Sequence, residues 1–196
     1  MIKNGQIDII LGCMWSGKST ELIRQAKRYN SIGKKILIIN HQSDNRYGND
    51  IVSTHDKNKI SCVSLEDLNT ITKSEEYLNS EIILIDEAQF FKDLYDFVIY
   101  SADILNKTVI VVGLDGDFEK KPFGDILKLI PHCENVTKLK ALCQICNDGT
   151  IASFTKRITN DSKINIIGGK EYYSAVCRYH YNHSNKLCEK NYLYNL

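Results

Sequence analysis

Four short apolar runs set the rhythm of this chain. They occupy residues 7–11, 35–40, 82–85 and 108–112, each rich in isoleucine or valine and closed by polar residues or glycine. Their hydrophobicity is continuous rather than alternating, which suits strands covered on both faces, as in a parallel sheet. Between them, helical spacing appears at 18–29 and 93–105, with a shorter stretch at 124–130. The alternation predicts a wound α/β sheet, flanked by helices, whose ligand lies beyond the carboxyl ends of the strands. From about residue 142 the apolar runs shorten, and tyrosine, histidine and cysteine become frequent. The expected organisation is an α/β domain over 1–141, a small second domain over 142–190 and a tail over 191–196.

Composition narrows the field. A chain of 196 residues can bury a core without disulfide staples. Its 25 Lys+Arg against 24 Asp+Glu argue against a surface built to neutralise many phosphates. Nucleic acid is therefore not the expected partner, whereas a mononucleotide needs only a local cluster of positive groups. The opening MIKNGQIDIILGCMW has too short an apolar run for a signal-peptide core. No stretch approaches the ~18 apolar residues of a membrane helix. The expectation is a cytoplasmic protein with no membrane partner. Seven cysteines, an odd number, point towards metal or redox chemistry rather than a disulfide framework.

Gly12-Cys13-Met14-Trp15-Ser16-Gly17-Lys18-Ser19 matches the phosphate-binding pattern G-x-x-x-x-G-K-[ST], with an apolar strand before it and a helical pattern after it. In that context backbone N–H groups and a helix start face the phosphates. Lys18 is expected to reach the β- and γ-phosphates, and the Ser19 hydroxyl to ligate Mg²⁺. The run Ile82-Ile83-Leu84-Ile85 ends in Asp86 and Glu87, an apolar strand closed by carboxylates. Asp86 suits the metal, and Glu87 suits a base that accepts a proton from an attacking hydroxyl or water. The expected ATP and Mg²⁺ contacts are Gly12, Ser16, Gly17, Lys18, Ser19, Thr20, Asp86 and Gln89.

Cys143-x-x-Cys146 and Cys177-x-x-His180 form two pairs separated by 30 residues. Two such pairs can supply four tetrahedral ligands, a closed set typical of structural zinc. His183 and Cys188 are close enough in sequence to replace His180. A redox C-x-x-C is the alternative for the first pair, but it leaves the second unexplained. Cys13, Cys62 and Cys133 have no such pairing and are expected to be unligated.

Asp86-Glu87-Ala88-Gln89 also resembles the box of nucleic-acid helicases, but such motors normally need two ATPase domains. The longer Asp86-Glu87-Ala88-Gln89-Phe90-Phe91 resembles the D-E-[GA]-Q-F-F stretch of cytosolic-type thymidine kinases. Further matches to that family follow in order: Ser43-Asp44-Asn45-Arg46-Tyr47, Ser53-Thr54-His55-Asp56, Gly113-Leu114-Asp115-Gly116-Asp117-Phe118 and Lys121-Pro122-Phe123-Gly124. Beyond the first cysteine pair come Phe154-Thr155-Lys156-Arg157, Ile167-Gly168-Gly169 and Tyr173. The resemblance spans about residues 5 to 183. Family members usually carry proline where this chain has Cys13, and many carry a fourth cysteine where it has His180.

The resemblance implies an ATP- and Mg²⁺-dependent kinase of thymidine with a structural Zn²⁺. Glu87 matches the family's general base, and Arg46 an arginine beside the phosphates. Met14, Phe90, Leu114 and Thr155 match positions lining the methyl side or the ring of the base. Phe118, Phe123 and Tyr173 match positions near the nucleoside. Ile164, Asn165, Ile166, Ile167 and Gly168 match a loop whose main chain bonds the polar base edge. A homotetramer and feedback inhibition by dTTP are implied as well. The other classes in view are a nucleic-acid-dependent ATPase fragment and a zinc-stabilised nucleotide-binding switch.

Overall fold

The apolar runs do become strands. A computed structural model describes residues 4–44, 51–53, 59–159 and 171–183. The chain runs through β1 (Gln6–Gly12), α1 (Lys18–Ser31), β2 (Ile36–His41), the pair β3 (Ile51–Ser53) and β4 (Lys59–Ser61), and β5 (Val63–Leu65). A 3-10 turn over Leu68–Ile71 leads to α2 (Glu75–Asn79) and β6 (Ile82–Ile85). A second 3-10 turn over Ala88–Phe90 precedes α3 (Leu94–Ile99), which runs into a π turn over Tyr100–Ile104. Then come β7 (Thr108–Gly113), a 3-10 segment over Ile126–His132 and β8 (Asn135–Leu139). The last elements are β9 (Ala141–Leu142), β10 (Ile151–Ala152), β11 (Phe154–Arg157), β12 (Tyr173–Val176) and α4 (Arg178–Asn182).

The main sheet has the order β5-β2-β6-β7-β1-β8 with every pairing parallel. This is the expected α/β class, and burial explains the continuous runs: β6 is buried at all four positions. Ile82 and Leu84 join a cluster with Leu22, Ile23 and Ala26 of α1. Ile83 and Ile85 join the opposite cluster with Leu94, Phe97 and Val98 of α3. Alternate side chains thus leave by opposite faces, and both faces are covered.

Two strands of this sheet have no counterpart among the predicted runs. β5 and β8 are its edges, and four of the five β8 residues are exposed. An edge strand needs no continuous apolar run, so its signal in the sequence is weak. The stretch expected to be helical at 124–130 is a 3-10 segment containing Pro131, whose missing N–H cannot serve a regular α-helix. Beyond β8 the short pairs β9–β10 and β11–β12 are both antiparallel.

A buried cation closes one end of the main layer. Lys107, 6% exposed, donates from Nζ to the carbonyls of Tyr77 at 2.8 Å, Ser80 at 2.5 Å and Leu78 at 3.4 Å. These carbonyls belong to the last turn of α2, where a positive charge is electrostatically favoured. Replacing Lys107 by methionine fills the space but leaves the carbonyls without that donor. Lys107→Met is expected to lower stability by about 2–4 kcal/mol in urea unfolding; a variant as stable as wild type would remove this role.

Candidate active site

Because all six strands are parallel, the loops after β1, β6 and β7 open at the same edge. The loop after β1 holds the glycine-lysine motif. Gly17 sits in the left-handed region at φ 86° and starts α1, so the helix N-terminus faces the loop it follows. Lys18 Nζ donates to the Cys13 carbonyl at 2.9 Å, which closes the turn on itself. The Ser16 hydroxyl is buried and has no partner among the described residues. Thr20 is exposed on the first turn of α1.

Opposite this loop, β6 ends in Asp86, 3% exposed. Burial first, and then the charge of Glu87, push the Asp86 carboxyl up to about 7, although a hydrogen bond from Ser19 and the charge of Lys18 pull it down. A buried carboxylate beside a hydroxyl, next to a phosphate loop, is a donor set that fits Mg²⁺. Such a cation would offset the cost of ionising Asp86.

Glu87 is half-buried and lies at φ 49°, unfavourable for a residue with a side chain. Its carboxylate accepts from Gln89 Nε2 at 2.6 Å, while Gln89 Oε1 accepts from Leu114 N at 3.0 Å. Gln89, expected among the phosphate contacts, is 3% exposed and turned inward. Two glycines make room for it. A Cβ on Gly113 would lie 2.5 Å from Gln89 Oε1, and one on Gly124, at φ 62°, would lie 2.3 Å from the Gln89 carbonyl. Gln89 thereby ties the Glu87 carboxylate to the main chain of the loop after β7.

Phe90 follows at the rim. Its ring is 5.4 Å from the His41 ring and meets Phe123 edge-on at 5.5 Å. Burial holds His41 towards its neutral form, against the pull of Glu66 and Glu87. Sequence reasoning gave His41 no part in the site, since its closeness to Phe90 depends on how β2 lies against β6.

The chain beyond β8 reaches back to the phosphate loop. Met14 N donates to Thr155 Oγ1 at 3.0 Å, and Cys13 Sγ to the Ala152 carbonyl at 3.6 Å. Cys13 and Thr155 also line a cavity of about 240 Å³ with Asp115, Lys120, Lys138 and Phe154. Neither Glu87 nor Phe90 lines that cavity. Tyr173 is buried, and its hydroxyl accepts from Arg157 Nη2 at 2.8 Å. Arg46, Ile164, Asn165, Ile166, Ile167, Gly168 and Cys188 lie outside the described residues.

Cys143, Cys146, Cys177 and His180 converge, their ligand atoms all within 4.8 Å of one another. Around zinc, with Zn–S bonds of about 2.3 Å, tetrahedral sulfurs sit roughly 3.8 Å apart. Here Cys146 and Cys177 are 3.8 Å apart, and His180 Nδ1 lies 3.5, 3.2 and 3.4 Å from the sulfurs of Cys143, Cys146 and Cys177. Burial opposes ionisation of Cys143, but hydrogen bonds from the backbone of Cys146, Cys177 and Ile145 outweigh it and bring the thiol to about 6. Cys146 goes to about 11, through burial and the neighbouring sulfurs. Several thiolates cannot share this space without a cation, so the donors fit zinc. His183 stands apart, with Nδ1 3.1 Å from the Tyr179 carbonyl.

The family model described as thymidine kinase matches residues 5–181. A thymidine kinase of Yaba monkey tumor virus is 48% identical over 176 residues, covering 90% of this chain and 94% of the viral one. Thymidine kinase a of Arabidopsis thaliana is 43% identical, covering 91% of this chain and 75% of the plant one. Thymidine kinase 1 of Dictyostelium discoideum is also 43% identical, covering 91% and 78%. With a phosphate loop, paired carboxylates and a Cys₃His cluster inside the matched span, this chain belongs to the thymidine kinase family.

Proposed function

We propose that the chain transfers the γ-phosphate of ATP to the 5′-hydroxyl of thymidine, giving dTMP and ADP. The observation that carries this reading is the convergence of Lys18, Ser19, Asp86 and Glu87 at one sheet edge, in a member of the thymidine kinase family. Glu87 takes the proton of the 5′-hydroxyl. The oxygen attacks the γ-phosphorus in line, a new P–O bond forms, and the bond to the β-phosphate oxygen breaks to release ADP. Lys18 and the N–H groups around Gly12, Ser16 and Gly17 face the charge on the transferring group, with Thr20 following at the helix start. Mg²⁺, held through Ser19 and Asp86, neutralises phosphate charge when bound. Arg46 is a further phosphate contact on this reading.

For the nucleoside, Phe90, Phe123 and Leu114 supply apolar and aromatic surface, joined by Met14, Thr155, Phe118 and Tyr173. The main chain around Ile164, Asn165, Ile166, Ile167 and Gly168 bonds the polar edge of the base. The edge-on pair of Phe90 and Phe123 supports the first group. The bond from Met14 N to Thr155 supports a pocket shared by both parts of the chain. An apolar cluster drawn mainly from Cys143, Ala152, Ala175, Val176 and Cys177, joined to the first part by Cys13 and Ala141, supports a boundary near 141, with a second domain over 142–190 and a tail over 191–196.

A homotetramer belongs to the same reading, supported by the exposed edge strand β8. So does inhibition by dTTP, which would fill the phosphate loop and the nucleoside pocket at once. Metal-ligating thiols suit a reducing compartment such as the cytoplasm, and no helix among the described residues is long and apolar enough to cross a membrane. Sedimentation as a monomer, or full activity in dTTP, would remove the corresponding proposal.

Two further outcomes are expected. Glu87→Gln should lower kcat by about 10²- to 10⁴-fold while Mg·ATP still binds. The measurement is ADP release with thymidine, deoxycytidine, deoxyguanosine or single-stranded RNA. RNA-stimulated hydrolysis with no response to thymidine would favour a motor instead. Removing zinc by chelation frees the ends of the segment between Cys146 and Cys177. The KM for thymidine should rise at least about tenfold, with a smaller rise for ATP because Thr155 also holds Met14. Unchanged thymidine affinity in metal-free protein would contradict the coupling.

A further inference from the structure

The loop after β7 and the β11–β12 pair are distant in sequence, yet one buried cation joins them. Arg157 is 9% exposed. Its guanidinium carbon lies 3.7 Å from the centre of the Phe118 ring, a stacking distance. The same group donates from Nη2 to the Tyr173 hydroxyl at 2.8 Å and lies 5.3 Å from that ring's centre. Arg157 and Tyr173 face each other across β11 and β12, so strand register sets their bond. Phe118 is brought in by the fold. One more contact holds it there: the Tyr181 hydroxyl donates to the Phe118 carbonyl at 2.6 Å, and Tyr181 itself meets Lys120, whose Nζ lies 4.0 Å from the centre of the Tyr181 ring.

An arginine does not shed its proton, so its burial is costly unless its partners are specific. Among the described residues they include two aromatic rings, one from each part of the chain. A flat guanidinium can stack on one ring and hydrogen-bond to the other's hydroxyl at the same time. The compact ammonium of lysine has no such face. Arg157 ends the matched block Phe154-Thr155-Lys156-Arg157, but its spacing along β11 is that of any strand residue and gives it no role.

We propose that Arg157 is a positioning residue for the nucleoside: it fixes the spacing between Phe118 and Tyr173 and thereby the width of the slot that receives the pyrimidine nucleoside. This rests on the nucleoside-site reading above. Arg157 touches the two rings and acts on the substrate through them.

The test compares wild type with Arg157→Lys, Arg157→Met, Phe118→Leu and the Arg157→Met/Phe118→Leu double variant. Zinc content is determined for each, and ADP release is followed with thymidine and Mg·ATP varied in turn. Both Arg157 variants should raise the KM for thymidine about tenfold, while the KM for ATP moves less than about twofold and kcat less than about threefold. The rise in the double variant should fall short of the product of the two single rises, because part of the Arg157 effect passes through its contact with Phe118. A wild-type thymidine KM in either Arg157 variant would overturn the proposal, as would full additivity in the double variant. A rise in both KM values accompanied by loss of zinc would reduce Arg157 to a folding role and overturn it too. If Arg157→Met does not fold, Arg157→Lys carries the comparison. Wild type that fails to turn over thymidine would sink the functional reading itself, whereas an active wild type with insensitive Arg157 variants sinks this inference alone.

Discussion

Six strands run parallel, and their carboxyl ends therefore open along one edge of the sheet. The placing of the phosphate loop beside the paired carboxylates depends on that constraint. β1 delivers the glycine-lysine loop, β6 delivers Asp86 and Glu87, and β7 lies between them. Parallel pairing demands helices on both faces, and the two apolar clusters supply that cover. The same burial that stabilises the sheet takes the Asp86 carboxyl out of water and makes its ionisation costly. A buried carboxylate beside the Ser19 hydroxyl and the glycine-lysine loop thus follows from how the core is built.

The paired carboxylates show how one edge serves two tasks. Asp86 is buried against Ser19 and Lys18, so it faces the phosphate loop. Glu87 is turned away by an unfavourable left-handed backbone and held by Gln89. Strain of this kind costs on the order of 1–3 kcal/mol and persists only where surrounding structure holds it in place. The hold comes from Gln89, whose own position requires Gly113 and Gly124 to lack side chains. Adjacent residues in sequence therefore present their carboxylates to different surroundings.

The Cys₃His cluster extends this edge. It gathers two ligand pairs that lie far apart in sequence, and the segment between them returns to the phosphate loop through Thr155 and Ala152. The cluster and the phosphate loop share an apolar patch that includes Cys13 and Cys143. Cys13, where the family usually carries proline, packs into this junction and donates to a carbonyl there. Shared packing at Cys13 and the bond from Met14 N to Thr155 Oγ1 thus join the phosphate loop to this part of the chain.

Local signals determined much of this. A continuous apolar run, a glycine-lysine loop, a strand ending in two acids and two closely spaced ligand pairs are each written in a few neighbouring residues, because each is a local unit. The α/β class, the phosphate loop, the carboxylates and the two cysteine pairs were legible for that reason. The edge strands β5 and β8 were not, since an exposed strand need not be apolar. Nor could spacing decide between His180 and His183, which lie on the same short helical turn and its end. Only the packing of α4 against the cluster turns His180 Nδ1 towards the sulfurs and leaves His183 outside. Gln89 bonding Glu87 and Arg157 joining Phe118 to Tyr173 belong to the same kind. Each depends on groups that meet only after the sheet and the β11–β12 pair are in place, and that meeting leaves no pattern along the chain.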